Sequence, residues 1–437
     1  MTHSAWSANV KFVDGQLTVA GLSATELARE YGTPAFILDE ADFKARASAF
    51  STAMKNSFSS SIVYYASKAF ICKEVVRWIH ELGMGIDVAT GGELEVAMSI
   101  NFPAHRIQVH GNNKSLAEID RAVEVGVGII VIDSLQEISR VAAAAKKYGK
   151  TQSVMIRLTP GVEAHTIEAI ATAHEDVKFG LSIASGAAWE AVQEIAKYRE
   201  LDFRGVHAHI GSQIFNMDGH RLTIDRLLDF MARYRDEFSR ELPDVDFGGG
   251  FGIVYTNDDA PLAIADAISQ IKDAVVSGCA SRNLNIPHVA IEPGRSIVGP
   301  SMFTLYEVGT TKEVVLDNGR RNYISIDGGM SDNIRPALYG AQYEAHLANR
   351  TSTAANSNAR IVGKHCETGD ILIREIDLPI DIVPGDLLAI PATGAYNRSM
   401  ASNYNHVPRP PVIAVRNGAA KVIVRRENYE DLLRLDV

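Results

Sequence analysis

The feature that most constrains this chain is an alternation that runs from about residue 35 to about residue 285. Short apolar, β-branched runs take turns with longer stretches of helical periodicity. The runs FILDE (36–40), IVYYASK (62–68), GIDVAT (85–90), RIQVHG (106–111) and GIIVID (128–133) are followed by SVMIRLTP, FRGVHAHIGSQ, VDFGGGFG and HVAIEPGRSIV. Between them lie helical stretches such as SLAEIDRAVEVG and SLQEISRVAAAAKKYG. Repeated strand–helix units build a parallel sheet with helices outside it. About eight such units in succession favour a closed (β/α)8 barrel over an open doubly wound sheet. The count here is nine, one too many, so either FILDE or HVAIE belongs in part to a second domain.

Past about Ser296 the pattern changes. Long helical stretches thin out, and runs such as FTLYEVGTTKEVV, NYISIDGG, DILIREIDL and PPVIAVRNGAAKVIVRR alternate between Gly, Asp and Asn turns. That reads as an antiparallel all-β domain, barrel-like in kind. The N-terminal VKFVDGQLTV reads as a hairpin with a DG turn, expected to join this domain. The expected division is a barrel over 35–288 and a β domain over 1–34 and 289–437. Residues 341–360 read as a polar surface excursion. A chain of 437 residues also exceeds the roughly 250–300 at which a single core stops growing.

A net charge of −10 argues against a nucleic-acid partner, which needs a basic face. Cys72, Cys279 and Cys366 lie far apart and form no CxxC, so neither a disulfide framework nor a zinc site is expected. No apolar run approaches the roughly 20 residues that span a bilayer, and MTHSAWSANVKF lacks the features of a signal peptide. A soluble protein of the reducing cytoplasm is the expectation, with no membrane partner.

In a (β/α)8 barrel the chemistry sits at the C-terminal ends of the strands. Standing there are Lys68, Asp87, His110, Arg157, His207, His209, the run Gly248, Gly249 and Gly250, and Glu292, Gly294 and Arg295. One lysine, imidazoles, glycines, a carboxylate and an arginine suit an anionic, aromatic, carbonyl-bearing ligand. Burial of Lys68 would lower its pKa and free the amine to form an imine; the plainer reading is a solvent-facing strand-end lysine. Consecutive glycines let backbone N–H groups approach a phosphate; the alternative is a tight loop with no ligand. Glu292 could keep a pyridine nitrogen protonated, or pair with Arg295 to stabilise a loop. His209 could stack on a ring and Ser212 donate to a phosphate, or they are a core imidazole and a helix cap. His207 and His209 share a strand face, but no third ligand is evident, so no metal is expected.

In the second domain Cys366 of CETGD is either a proton donor or a small buried hydrophobe. Tyr396 of TGAYN is a ligand contact or an interface aromatic. Arg335 and Tyr339 of RPALYG lie four residues apart, and Arg335 could clamp a carboxylate or make a surface ion pair.

YYASKA, HGNNKS, HAHIGSQ, DFGGGFG, EPGRS, IRPALYG, CETGD and GAY, in this order across nearly the whole chain, are a specific set. By them the chain resembles the diaminopimelate decarboxylase family, within the alanine-racemase-like (fold-type III) enzymes of pyridoxal 5'-phosphate (PLP). The resemblance implies that Lys68 carries PLP covalently and that His209 stacks on its ring. It further implies that Ser212, Gly249, Gly250, Gly294 and Arg295 hold the phosphate and that Glu292 meets the ring nitrogen. Asp87, at the same mouth, joins the cofactor set. Arg295, Arg335, Tyr339 and Tyr396 would bind an amino-acid substrate, Tyr396 touching the cofactor as well. Glu367 would take the distal amino group and Cys366 would protonate the carbanion. Family members are homodimers with shared active sites, each completed by the partner's cysteine loop. CETGD is a slight variant of the family's more usual CESGD.

The implied reaction turns meso-2,6-diaminopimelate into L-lysine and CO2, the last step of lysine biosynthesis. Two arginines suit a substrate that keeps a distal carboxylate. The alternatives are a related decarboxylase of ornithine, lysine or a carboxylated polyamine, a racemase of the alanine-racemase type, and a non-catalytic PLP carrier. Glu292 speaks against the racemase, which has arginine at the ring nitrogen, and the β domain speaks against the carrier.

Overall fold

The computed structural model describes residues 4–161, 178–317 and 319–437. It divides into two compact units, one of Arg46–Gly252 and Pro261–Gly294, the other of the N-terminal residues through Ala45 together with Ile253–Ala260 and Arg295–Val437.

The first unit is a closed parallel barrel. Its strands are Ser61–Ala66, Gly85–Val88, Ile107–Val109, Ile129–Ile132, Gln152–Thr159, Leu201–His207, Asp244–Asp246 and His288–Ile291. Each pairs in parallel with the next, and His288–Ile291 pairs back onto Ser61–Ala66 to close the ring. The strands are apolar because a barrel strand is buried on both faces. The helices between them show one apolar stripe. In Lys73–Glu81 it is Val75, Val76, Trp78 and Ile79, spaced for a 3.6-residue period. Helix ends follow local chemistry. Ser115 and Glu118 form a reciprocal capping box at the start of Leu116–Val125, and Gly126 in the left-handed conformation ends it.

The surplus strand of the sequence reading is the first one. Ala35–Asp39 pairs antiparallel with Met302–Leu316 and parallel with Val412–Arg416, in the second unit, while HVAI closes the barrel. The expected borders at residues 35 and 288 therefore shift, to 46 and 294. A five-residue run that is buried throughout suits either place; its partners alone decide.

The second unit's large sheet is mostly antiparallel. Two of its pairings are parallel, Gly319–Ile326 with Asn356–Val362 and Ala35–Asp39 with Val412–Arg416, within the antiparallel domain the sequence led one to expect. The N-terminal hairpin, Val10–Val13 with Gln16–Val19, forms through Asp14 and Gly15, both at positive φ as a two-residue primed turn needs. It docks on this unit through a bond from Leu17 N–H to the Ala348 carbonyl at 2.9 Å. Residues 341–360 are not a surface excursion. Tyr343, Ala345 and Ala348 are buried, and His346–Leu347 pairs with Leu387–Ile390. Cys72 and Cys279 are buried and Cys366 is exposed. Among the described residues no helix is long and apolar enough to cross a membrane.

Candidate active site

At the mouth of the barrel the strand ends deliver a buried polar cluster. Glu292 follows His288–Ile291, His207 ends Leu201–His207, and His110 follows Ile107–Val109. His110 Nε2 lies 2.8 Å from Glu292 Oε1, and His207 Nε2 lies 3.3 Å from Glu292 Oε2. The Gln108 amide donates to Asp246 Oδ2 at 3.0 Å and to Glu292 Oε1 at 3.3 Å. Asp246 Oδ1 accepts the Gly248 N–H at 2.8 Å.

Three buried carboxyls share this space, and their environments separate them. Burial, and then the field of Glu292, push Asp87 and Asp246 well above the usual carboxylate range. Burial acts on Glu292 in the same sense, but the two imidazoles facing it hold it well below that range. Burial also keeps the imidazoles neutral. His110 is lowered despite Glu292, and His207 is pushed down to about 4. A neutral imidazole still donates from Nε2, so both rings serve the carboxylate as hydrogen-bond donors. Glu292 is thus the negative charge of the mouth.

Lys68 lies in the single 3-10 turn Ser67–Ala69 that follows Ser61–Ala66. Its side chain is exposed, not buried as the sequence argument required. Its charge nevertheless acts inside: it partly offsets the rise of Asp87, and it adds to the burial that drives His209 well below the usual imidazole range. His209 is half-buried, and its Nδ1 accepts the Gly249 N–H at 3.2 Å. Ser212, also half-buried, stands just beyond it.

The glycines are required by backbone packing. A Cβ on Gly249 would stand 2.2 Å from the Glu292 carbonyl oxygen, and one on Gly250, at φ +96°, would stand 2.6 Å from that of Gly211. Gly294 rests on the turn of Lys68, where a Cβ would meet Ala66 Cβ at 2.8 Å and Ala69 Cβ at 3.2 Å. Lys68, Asp87, His209, Ser212, Gly249, Gly250, Glu292 and Gly294 all belong to the barrel unit.

The donor set fits PLP. An ionised carboxylate suits a protonated ring nitrogen, an exposed amine suits an aldehyde, and side-chain-free loops beside a serine suit a phosphate. Atoms of His110, His207 and Glu292 all lie within 4.8 Å of one another, so Glu292 is the third group the sequence did not reveal, and His110 rather than His209 accompanies His207. In this structure those atoms are committed to one another by hydrogen bonds.

The second unit gathers the arginines. The Arg295 guanidinium lies 4.7 Å from the Tyr396 ring centre and donates to the Tyr255 hydroxyl. The Arg335 guanidinium lies 4.6 Å from the Tyr255 ring centre and donates to the Tyr343 hydroxyl, which in turn donates to Asn397 Oδ1 at 3.3 Å. Tyr255 and Tyr343 meet edge to face at 5.3 Å. Tyr339, paired with Arg335 by sequence spacing, is half-buried at the end of the short helix Arg335–Tyr339, and the Arg335 guanidinium stands over the rings of Tyr255 and Tyr343. Cys366 and Glu367 are exposed on their loop, with Asn405 Oδ1 3.1 Å from the Cys366 N–H and the Tyr404 hydroxyl 3.5 Å from Glu367 Oε2. Tyr255, Tyr343, Asn397, Gln108 and Asp246 were not singled out by sequence. For Gln108 a signal existed: it shares the strand face of His110 by the two-residue period.

Residues 41–299 match the family described as "Pyridoxal-dependent decarboxylase, pyridoxal binding domain". The chain is 50% identical to the diaminopimelate decarboxylase of Mycobacterium tuberculosis over 97% of this chain and 95% of that one. It is 44% identical to that of Bacillus subtilis, over the same shares. Among solved structures it is similar to the diaminopimelate decarboxylase of M. jannaschii in complex with L-lysine, with a TM-score of 0.92 and 31% identity over 99% of this chain and 98% of that one. With a matching cofactor domain and relatives of one name aligned over nearly their full length, the chain belongs to the pyridoxal-dependent decarboxylases and, within them, to the diaminopimelate decarboxylase family.

Proposed function

We propose that the chain uses PLP to decarboxylate meso-2,6-diaminopimelate, yielding L-lysine and CO2 as the last step of lysine biosynthesis. The observation that carries this reading is Glu292, buried at the end of a barrel strand with His110 Nε2 at 2.8 Å and His207 Nε2 at 3.3 Å from its carboxylate oxygens. When bound, PLP supplies a protonated ring that accepts the electron pair left as CO2 departs.

The chain's own residues do the rest. The Lys68 amine is the attachment point. Glu292 would hold the proton on the ring nitrogen, and His209, oriented by the Gly249 N–H, would pack beside the ring. Asp87 lines the cofactor pocket. Ser212 and the backbone of Gly249, Gly250, Gly294 and Arg295 take the phosphate. Arg295, Arg335, Tyr339 and Tyr396 orient the substrate, with Arg335 set for its distal carboxylate and Glu367 for its distal amine. Cys366 delivers the proton that replaces CO2. The Cys366 loop comes from the partner in a cytoplasmic homodimer with shared sites, and no nucleic acid takes part. Support comes from relatives of this name and from the L-lysine bound in the M. jannaschii structure.

The test is substrate-resolved CO2 release by the PLP-loaded chain, together with borohydride reduction and peptide mapping. The expected result is turnover of meso-diaminopimelate far above that of D-lysine or ornithine, with the reduced cofactor on Lys68. Faster turnover of ornithine or lysine would move the chain to the alternative decarboxylases. A map that places the cofactor elsewhere would remove Lys68 from its role.

A further inference from the structure

The loop that carries Cys366 is held by a carboxylate. Asp370, the last residue of CETGD, accepts the His365 N–H on Oδ2 at 2.8 Å and the Met330 N–H on Oδ1 at 2.6 Å. Its own N–H donates to the Glu367 carbonyl at 3.1 Å, and its carbonyl accepts the Gly363 N–H at 3.0 Å. The His365 bond closes the loop on itself. The Met330 bond ties it to the segment that runs from the strand Gly319–Ile326 to the helix of Arg335. His365 adds a second tie, with Nε2 2.8 Å from Ser331 Oγ.

Two glycines make room for this carboxylate. A Cβ on Gly363 would stand 2.2 and 2.4 Å from its two oxygens, and one on Gly329 would stand 2.6 and 2.7 Å from them. Asp370 is buried while Cys366, four positions earlier, is exposed. A short exposed loop left to itself samples many backbone states, and ordering it costs conformational entropy. Hydrogen bonds to a carboxylate are about twice as strong as neutral ones, so this clamp selects one state of the loop.

We propose that Asp370 is a positioning residue: its clamp between Met330 and His365 sets where the Cys366 thiol stands. The proposal rests on the reading of Cys366 as proton donor and deepens it. Asp370 acts through Cys366, its carboxylate being taken up by the Met330 and His365 N–H groups.

The test is a double-mutant cycle on the full PLP-loaded enzyme, read as kcat for meso-diaminopimelate, with the cofactor absorbance of each variant recorded. Asparagine at 370 keeps one acceptor and turns an amide N–H₂ toward the other N–H. In the wild-type background Asp370→Asn is expected to lower kcat by roughly 10- to 100-fold with the cofactor spectrum unchanged, the usual cost of a misplaced group. In the Cys366→Ala background the same change is expected to cost less than about 2-fold, because the residue it positions is gone. Gly363→Ala pushes the carboxylate aside without altering any charge and should reproduce this non-additive pattern; it carries the test if Asp370→Asn does not fold. An equal loss in both backgrounds would make Asp370 a purely structural residue and overturn the proposal. A Cys366→Ala enzyme as fast as wild type would instead remove the proton-donor reading, and the proposal with it.

Discussion

Glu292 keeps its charge where burial alone would remove it. Moving a carboxylate out of water costs several kcal/mol unless donors replace the lost hydration. Here two imidazole N–H groups and the Gln108 amide do so, while burial and then the field of Glu292 drive Asp87 and Asp246 toward the neutral form. Glu292→Gln keeps the shape and removes the charge. A hydrogen bond to a charged group contributes about 1.5–3 kcal/mol, so kcat should fall by roughly 10- to 100-fold while PLP is still bound. Steady-state CO2 release and cofactor content, measured together, check this; an unchanged kcat would show that the ring nitrogen does not depend on Glu292. The residue itself was legible in EPGRS. Its partners were not, because His110 and His207 reach it only through the register of strands far apart in the sequence. Tyr255 and Tyr343 carry no local pattern at all, and Tyr343 lies in a stretch whose polar neighbours made it read as surface.

At the scale of elements, period and punctuation were enough to place the barrel strands. They could not say which sheet receives FILD, since a fully buried run has no polar face to betray its partners. The long sheet of the second unit holds a buried acid whose effect on stability can be measured. The Tyr306 hydroxyl, on Met302–Leu316, donates to Asp332, and the Gly329 N–H donates to its other oxygen at 2.9 Å. Burial outweighs these bonds and pushes Asp332 up to about 7. Between about pH 4 and pH 7 the folded chain therefore holds a proton that the unfolded chain has released. The associated stability is full below pH 4 and is lost as the pH rises through 7, to the extent of about 4 kcal/mol. Denaturant midpoints at pH 5 and pH 7.5 should show roughly 2–3 kcal/mol of this loss in the wild type and a flatter response in Asp332→Asn. Equal slopes in the two proteins would mean that Asp332 is ionised throughout.

At the scale of the whole molecule, the barrel unit contains Lys68 and Glu292, whereas Cys366, Arg295 and Arg335 belong to the other unit. No length, charge or periodicity in one chain says whose Cys366 serves whose Lys68; only the family resemblance addressed it. Mixing two inactive variants answers the question. On the proposed roles, Lys68→Ala would lack the attachment point and Cys366→Ala the proton donor, so each variant alone is expected to be silent. Suppose the cysteine loop crosses to the partner. In a mixed dimer one site then loses both groups, and the other, joining Lys68 of one chain to Cys366 of its partner, is intact. Random reassortment makes about half of the dimers mixed, so roughly one quarter of wild-type activity should appear when the two are unfolded and refolded together. If each chain supplied its own cysteine, every site in the mixture would lack one group and no activity would return. The recovered fraction, measured as CO2 release against the ratio of the two variants, should peak at equal amounts, because there the population of mixed dimers is greatest.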